Sequence, residues 1–432
     1  MSADAGAAPS SREDWRNTIL AGLANYIDAG SIVAGSAALA LRVAAYDLAP
    51  SFVGLIGAFS ANAISAGVGA LIGGRLCDLY GRKRIYQYDM LFYAFGMLFL
   101  VFAVSPWMIV VGFVLVGLAV GADIPASWSL IAEMAPNGAR GKHSGLAQVL
   151  WYAGPVVVLL LSLALAPLGI LGMRIVFAHL AVMALALTFL RSRMKESPLW
   201  EEARARPRAK GEASAWRTLL RPRHLKALIF LIGMYGLWNL WAGTYGFFFP
   251  YILSTVGDQS QATSVAVQAA SFAIGMVSIA LVFMRLSDRV NQRWLFGVSA
   301  LLQVAGMAML AVAPLTLPLA MVHVFLMWFA AGFGQQSFFQ LWSAELFPTM
   351  IRATAQGLAF AVVRIMLGVW SFFVPVLTLA GFQTLAWILT GFLAASGLIG
   401  WIWAPRHEGK SLEDIQRDRD RDRDDAIVDQ RR

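Results

Sequence analysis

Charge and cysteine are both scarce in this chain. Of its 432 residues, 14% are charged and 59% are hydrophobic, and the mean hydropathy is +0.65. Because an ordinary soluble domain is about a quarter charged, this composition excludes one and indicates a membrane protein. The single cysteine, Cys77, excludes an internal disulfide framework and a cysteine-based metal cluster.

Signatures of several other protein classes are missing as well. The chain has no nucleotide-binding loop and no nucleophile–base pair, and its five histidines have no metal-ligand spacing. We therefore predict that it is not an enzyme and has neither a cofactor nor a metal site. Its net charge of +9 resides in short loops between apolar runs, which argues against nucleic-acid binding. The N-terminus lacks the basic region and cleavage site of a signal peptide, so we expect the first apolar run to remain as a helix.

Apolar runs of membrane-spanning length dominate the chain. A bilayer core requires about 20 mostly apolar residues per helix. Twelve segments satisfy this requirement: 17–43, 52–74, 85–104, 107–131, 145–168, 173–191, 225–254, 263–286, 294–313, 318–344, 355–379 and 383–404. They predict an all-α membrane protein with twelve transmembrane helices.

A long polar segment divides these spans into two sets of six. We predict an N-terminal six-helix bundle over 1–191, a cytoplasmic linker over 192–224 and a C-terminal six-helix bundle over 225–404. A charged cytoplasmic tail, 405–432, follows the last span. The basic residues lie in alternate loops, for example Arg82 to Arg84 and Arg140, whereas the opposite loops are almost free of positive charge. This asymmetry predicts a multi-pass protein of the cell membrane with both termini in the cytoplasm.

Two stretches of the first half recur in the second half at nearly the same separation. The segment 129–147 matches 341–359, and the charged cluster of 73–84 matches 284–294. Two matches in step indicate two six-helix halves with the same topology, which is an arrangement known among transporters.

Five blocks of sequence resemble those of a known family. They are "GRLCDLYGRKR", "GADIPASWSLIAEMAPNGARGK", "KESPLW", "SAELFPTMIRATAQG" and "EGKSLEDI". They resemble the major facilitator superfamily, and in particular its sugar-porter and metabolite–proton symporter branches. The resemblance implies two six-helix bundles related by a pseudo-two-fold axis, and transport of a solute by alternating access.

The repeated charges predict a gate at the cytoplasmic ends of the helices. A carboxylate–guanidinium bond is strong and geometrically exacting, so it forms only when two helix ends are close. Such bonds stabilise one conformation of a transporter and are lost in the other. We assign this gating role to Asp78, Arg82, Glu133, Arg140, Asp288, Glu345 and Arg352. The alternative is that these charges only anchor helix ends and set topology.

A few ionisable residues fall near the middle of the bilayer. At about 1.5 Å per residue, Asp28, Asp123 and Arg364 lie roughly 15 to 18 Å from the cytoplasmic helix ends. Ionisable groups at this depth are costly and predict a polar chamber between the halves. The block "NYIDAGSIVAGSAAL" resembles the first span of sugar porters, whose aspartate carries the coupling proton; Asp28 matches that position. We predict that Asp28 and Asp123 couple transport to protons, the alternative for Asp28 being a lasting ion pair with Arg364.

Amide and aromatic side chains on the chamber-facing spans predict the solute site. Such surfaces suit solutes that need oriented hydrogen bonds and ring contacts. The predicted set is Gln148, Trp151, Asn239, Trp241, Tyr245, Gln335, Gln336 and Arg364. Because a buried guanidinium suits a carboxylate, the leading interpretation is a proton-coupled transporter of a small organic acid. A sugar or polyol porter is the alternative, and a drug–proton antiporter is a third possibility. We expect a monomer whose partners are the solute, protons and the lipid bilayer.

Overall fold

Helices account for nearly all of the regular structure. This computed structural model describes residues 11–48, 50–60, 63–136, 139–192, 194, 196–205 and 215–405. Within these ranges the secondary structure is helical and contains no strand. Such a structure is expected in hydrocarbon, where a helix satisfies every backbone N–H and C=O group within its own segment.

Seven α-helices lie among the described residues of the first half. They are α1 (Arg12–Tyr46), α2 (Pro50–Ala58), α3 (Ile64–Tyr80), α4 (Arg82–Val101), α5 (Pro106–Met134), α6 (Arg140–Ala164) and α7 (Ile170–Arg191). The second predicted span is divided between α2 and α3. Helix α1 begins at Ser11, whose hydroxyl accepts the Asp14 N–H while the Asp14 carboxylate accepts the Ser11 N–H. This capping box satisfies two N–H groups of the first turn.

The second half follows two short linker helices. The helices are α8 (Pro198–Ala205), α9 (Ala215–Leu219), α10 (Pro222–Thr255), α11 (Gln261–Ser278), α12 (Met284–Leu286), α13 (Gln292–Val312), α14 (Leu317–Gly332), α15 (Gln335–Glu345), α16 (Thr349–Ser371), α17 (Val374–Ala380) and α18 (Phe382–Trp403). A π-helical turn over Ile279–Phe283 joins α11 to α12. The predicted tenth span is divided at Gly334 into α14 and α15. The tail beyond 405 and part of the linker lie outside the described residues.

The outer surface of the helices is apolar. Nine helical segments among the described residues are long and apolar enough to cross a bilayer, and α1, α3 and α4 occupy the three other predicted spans. Large side chains such as Leu301, 70% exposed, and Val182, 63% exposed, point away from the protein. A soluble protein rarely exposes such a continuous apolar surface, so this surface is suited to lipid.

The helices pack as two groups of six spans. In the first half α1 packs on α6, α3 on α5, and α4 on α5 and α7; in the second, α13 packs on α14 and α18, and α10 on α16 and α18. Between the groups, α3 contacts α16, α6 contacts α11, and α1 contacts α10. The α3–α16 approach depends on Gly74 and Gly357, because a Cβ at either position would overlap the carbonyl oxygen of Ala353 or Ala70.

Candidate functional site

Seven predicted gating residues gather at one end of the two bundles, called here the charged end. One oxygen of Glu133, Oε1, accepts hydrogen bonds from Arg82 Nη2 at 2.9 Å and Arg352 Nη1 at 2.6 Å. All three side chains are nearly inaccessible to solvent. A carboxylate of the first bundle therefore joins one arginine of its own bundle to one of the other bundle.

Further contacts cross between the bundles at the charged end. Arg140 Nη2 lies 3.0 Å from Glu345 Oε1. Asp78 Oδ2 accepts the backbone N–H and the hydroxyl of Thr354 at 2.7 and 2.6 Å. The sequence placed Glu133 beside Arg140 and Glu345 beside Arg352, whereas the structure exchanges these partners between the bundles. These contacts join the two bundles at the charged end.

Asp288 makes the reciprocal contact from the second bundle. Its two carboxylate oxygens accept the backbone N–H groups of Gly141 and Lys142, at 2.9 and 3.1 Å, at the start of α6. Partial burial raises the pKa of Asp288, and the two N–H donors and Arg140 oppose that shift. The start of a helix favours a carboxylate because its first N–H groups have no partner within the helix.

A residue of the linker that sequence reasoning missed also belongs to the charged end. Glu196 accepts the backbone N–H groups of Arg82 and Lys83, both at 3.0 Å, and so caps the start of α4. Beside it, the indole of Trp200 donates to the Asp78 carbonyl at 3.2 Å. The block "KESPLW" carried this signal, but a cap on a distant helix has no local pattern in the sequence.

A small central cavity lies between the bundles. Its volume is about 20 Å³, which is enough for about one water molecule. Helices of both bundles line it, and five of the eight predicted solute-binding residues are among the lining: Trp151, Asn239, Trp241, Gln336 and Arg364. These five predicted residues therefore lie together around a very small space.

Two opposite charges lie beside the central cavity. The Trp151 indole donates to Asp28 Oδ2 at 3.1 Å, and Arg364 Nη1 donates to Asn239 Oδ1 at 3.1 Å. The Arg364 guanidinium also lies over the ring of Phe360, 4.3 Å from its centroid. Asp28 and Arg364 interact electrostatically at longer range, but each is hydrogen-bonded to an uncharged partner. The two opposite charges therefore lie close to the cavity without a direct bond between them.

The three other predicted binding residues are placed differently. Gln148 Nε2 donates to Gln340 Oε1 and thus bridges α6 and α15. Gln335 accepts from Gln303 at 2.7 Å, and the Tyr245 hydroxyl donates to Met307 Sδ at 3.6 Å. Both of these face the interior of the second bundle. Neighbouring residues of a helix point about 100° apart, so Gln335 turns away from the cavity that Gln336 lines.

Asp123 lies in the interior of the first bundle and does not line the central cavity. Its Oδ1 accepts from Arg191 Nη1 at 2.7 Å, and its Oδ2 accepts from Ser127 Oγ at 2.7 Å. The carboxyl of Asp89, a residue that the sequence analysis did not single out, faces Asp123. The signal for Asp89 was present, because it lies seven residues inside the span that follows Arg82.

A larger cavity of about 370 Å³ lies beyond the central cavity, away from the charged end. Apolar residues of α1 and α10 form much of its wall, among them Leu39, Val43 and Phe248. Between the two cavities Ser36 Oγ donates to the Phe247 carbonyl oxygen at 2.7 Å and joins α1 to α10. The two bundles are thus joined at the charged end, and the larger cavity lies toward the opposite end.

The chain matches two family models and is similar to several known proteins. The family model described as Major Facilitator Superfamily matches residues 18–267, and the model described as Sugar (and other) transporter matches 201–418. The chain is 47% identical to the minor myo-inositol transporter of Bacillus subtilis (strain 168), over 93% of each chain. It is 25% identical to the alpha-ketoglutarate permease of Escherichia coli (strain K12), over 72% of this chain and 74% of the relative.

Solved structures show the same fold. A proton:xylose symporter bound to 6-bromo-6-deoxy-D-glucose superposes with a TM-score of 0.76, at 18% identity, over 93% of this chain and 98% of its own. The inward-open xylose transporter of E. coli superposes with a TM-score of 0.69, at 18% identity, over 92% of this chain and 98% of its own. The predicted all-α fold of two six-helix bundles is confirmed.

Proposed function

Because the chain belongs to the major facilitator superfamily of membrane transporters, we propose that it carries a polyhydroxylated ring such as myo-inositol by alternating access. The observation that carries this proposal is the 47% identity with a myo-inositol transporter over 93% of both chains. The comparisons favour the sugar or polyol alternative over the organic acid that the sequence first suggested. The relative named for a dicarboxylate is much more distant.

The contacts of Arg364 support an uncharged solute. From the sequence alone, Arg364 suggested a carboxylate ligand. In the structure, its Nη1 donates to Asn239 and its guanidinium lies over the ring of Phe360. A carboxylate would have to compete with both. The amides of Asn239 and Gln336 and the indoles of Trp151 and Trp241 offer donors, acceptors and ring faces that suit a hydroxylated ring.

The carboxyl of Asp28 supports proton coupling at the same site. Its Oδ2 accepts from Trp151, which lines the cavity, whereas its Oδ1 is buried and has no hydrogen-bond partner among the described residues. A buried oxygen of this kind is satisfied when it carries a proton and donates. We propose that Asp28 binds a proton while the solute occupies the cavity next to it.

The contacts of the charged end support the gating part of the proposal. We assign the closed gate to the pairs of Glu133 with Arg352 and of Arg140 with Glu345, and to the bonds of Asp78 and Asp288. These bonds must all break when the charged end opens in the opposite conformation. The clustering of basic loops at this end supports a cytoplasmic location for it and for both termini.

Uptake into proteoliposomes tests the proposal. Labelled myo-inositol should accumulate, unlabelled sugars and cyclitols should compete, and alpha-ketoglutarate should not. Trp151→Phe keeps a ring in the cavity but removes the N–H bond to Asp28, and a hydrogen bond to a neutral group contributes about 0.5–1.5 kcal/mol. We therefore expect the half-saturation concentration for myo-inositol to rise by up to about tenfold, since tenfold corresponds to about 1.4 kcal/mol.

Matched variants separate these effects from damage to the fold. Trp294→Phe alters a tryptophan that is 65% exposed on the outer surface and should leave uptake unchanged. Asp28→Asn should abolish accumulation driven by a pH gradient while exchange of solute persists. Asp258 is exposed and has a left-handed backbone conformation, which asparagine also tolerates. The Asp258→Asn variant should therefore transport as the unaltered protein does. Saturable uptake of alpha-ketoglutarate with no effect of myo-inositol would contradict the proposal.

A further inference from the structure

A second acidic site lies inside the first bundle, apart from the central cavity. Asp89 on α4 and Asp123 on α5 are 6% and 2% exposed, and their carboxyl groups face each other. Asp123 is held by Arg191 and Ser127, as described above. Asp89 Oδ1 accepts the N–H of Met90, and Asp89 Oδ2 is buried with no hydrogen-bond partner among the described residues.

The charges of this site do not balance when both acids are ionised. Two carboxylates face one guanidinium, that of Arg191, which is fully buried at the end of α7. Arg191 is already committed, since its Nε and Nη2 donate to the carbonyl oxygens of Leu20 and Ala21 at 3.1 and 3.0 Å. Two carboxyl groups that share a buried site cannot both ionise without a large electrostatic cost.

We propose that Asp89 and Asp123 together bind one proton, at a site that is separate from Asp28. The proton resides on Asp89 Oδ2, the oxygen without a partner, where it turns a bare acceptor into a donor toward Asp123. Asp123 remains ionised and keeps its bond to Arg191. The balance is simple: one proton is bound, one buried negative charge is removed, and no covalent bond between heavy atoms changes.

The surroundings explain why a proton fits better than a metal ion. The titratable or charged groups that face the pair from the packed helices are Arg191 on α7, Cys77 on α3 and Asp28 on α1. No group of three or more His, Cys, Asp or Glu suited to a metal ion occurs among the described residues. A sodium ion needs several oxygen ligands around it, whereas a proton needs only the two carboxyl oxygens.

The site is connected to Asp28 through α1. The carbonyl groups that Arg191 binds belong to Leu20 and Ala21, and Asp28 follows about two turns later on the same helix. A shift of α1 during transport would therefore disturb Arg191, and with it the partner that keeps Asp123 ionised. The inference goes beyond the proposed function and does not depend on the identity of the solute.

Infrared difference spectroscopy of the full chain in lipid tests the inference. A protonated carboxyl group has a C=O stretching band that is distinct from that of a carboxylate and shifts in D₂O. At neutral pH we expect one such band per chain to disappear in Asp89→Asn, because asparagine donates its own N–H to Asp123 and no longer carries the acid. Asp89→Ala should remove the same band, and thermal unfolding shows whether each variant is folded.

The control variants determine the interpretation. The band should persist in Asp28→Asn and in Asp258→Asn, and replacement of sodium by choline should not change it. Persistence of every acid band in both folded Asp89 variants would overturn the inference, as would loss of the same band in Asp28→Asn. A sodium-dependent band would also overturn it. Failure of myo-inositol uptake would contradict the proposed function but leave this result unaffected.

Discussion

Glu133 binds two arginines through a single oxygen, and this residue shows what a local pattern can and cannot predict. The duplicated Glu and Arg positions correctly identified residues that lie together at the charged end. Their partners could not be predicted, because Glu133 and Arg352 meet only after the two bundles have packed. Asp89 was overlooked for a related reason, since its significance depends on Asp123 and Arg191 from two other helices.

Substitution of Glu133 should open the charged end. Glu133→Gln leaves Arg352 buried without its carboxylate, while Arg82 keeps only the carboxylate of Asp78, at 3.3 Å, and breaking a buried ion pair costs about 3–5 kcal/mol. Because the cost falls on the closed conformation, the population of the open one should rise by well over tenfold. Ser129 is fully buried on α5 and donates to Gln356 of α16 across the bundles, so a thiol there reports opening. We expect faster maleimide labelling of Ser129→Cys in a Cys77→Ala background.

Glu202→Gln is the matched control for this measurement. Glu202 is an exposed glutamate of α8, and its substitution should leave labelling of the position-129 thiol unchanged. Equal labelling rates in Glu133→Gln and Glu202→Gln would show that Glu133 does not hold the charged end closed.

Helix α10 contains Pro250, and side chains of other helices bind the backbone carbonyl groups in the turn before it. Pro250 has no N–H for the carbonyl of Gly246, one turn earlier, and Gln268 of α11 supplies the missing donor. Its Nε2 donates to the carbonyl oxygens of Gly246 and Tyr245 at 2.9 and 3.2 Å. Ser36 donates to the next carbonyl, that of Phe247. Three successive carbonyl groups are thus bound by side chains of other helices, which marks α10 as a bending point between the two cavities.

Removal of the proline should stiffen α10. Pro250→Ala allows the missing backbone bond to Gly246 to form within α10, so bending should become less favourable. We expect exchange of labelled solute across proteoliposomes to slow by several-fold while the protein remains folded. Pro106→Ala is the matched control, because Pro106 occupies the first turn of α5, where no helical bond depends on it. Faster exchange in Pro250→Ala than in Pro106→Ala would contradict a bending role.

At the scale of the whole molecule, most of the fold could be predicted. Apolar length located the spans, the repeat indicated two equal halves, and the resemblance identified the family. The predictions failed where a span is divided into two helices, as between α2 and α3 and at Gly334, because hydropathy does not detect a break inside an apolar run. The sequence did not indicate which predicted residues line the central cavity. Gln335 and Tyr245 face the interior of the second bundle, and the direction of a side chain becomes known only from the packed helices.

The α3–α16 contact should control the balance between conformations. Gly74→Ala places a methyl group against the Ala353 carbonyl at the closest approach of the bundles, so the bundles must separate there. We expect transport to fall several-fold and labelling of the position-129 thiol to increase. Gly391→Ala is the control, since nothing lies within 4 Å of a Cβ at that position. Normal transport together with unchanged labelling in Gly74→Ala would show that this approach can relax without consequence.

The central cavity has room for about one water molecule, whereas a six-membered ring with a hydroxyl on each carbon occupies many times that volume. The proposed solute therefore does not fit the cavity as it stands, and the cavity must expand when it binds. Part of the free energy of its contacts with the amides and indoles must offset the cost of moving Trp151, Asn239 and their neighbours apart. The measured affinity will therefore be weaker than these contacts alone would give. Solutes whose contacts are too weak to expand the cavity should not be transported, so the small size of the cavity itself contributes to substrate selectivity.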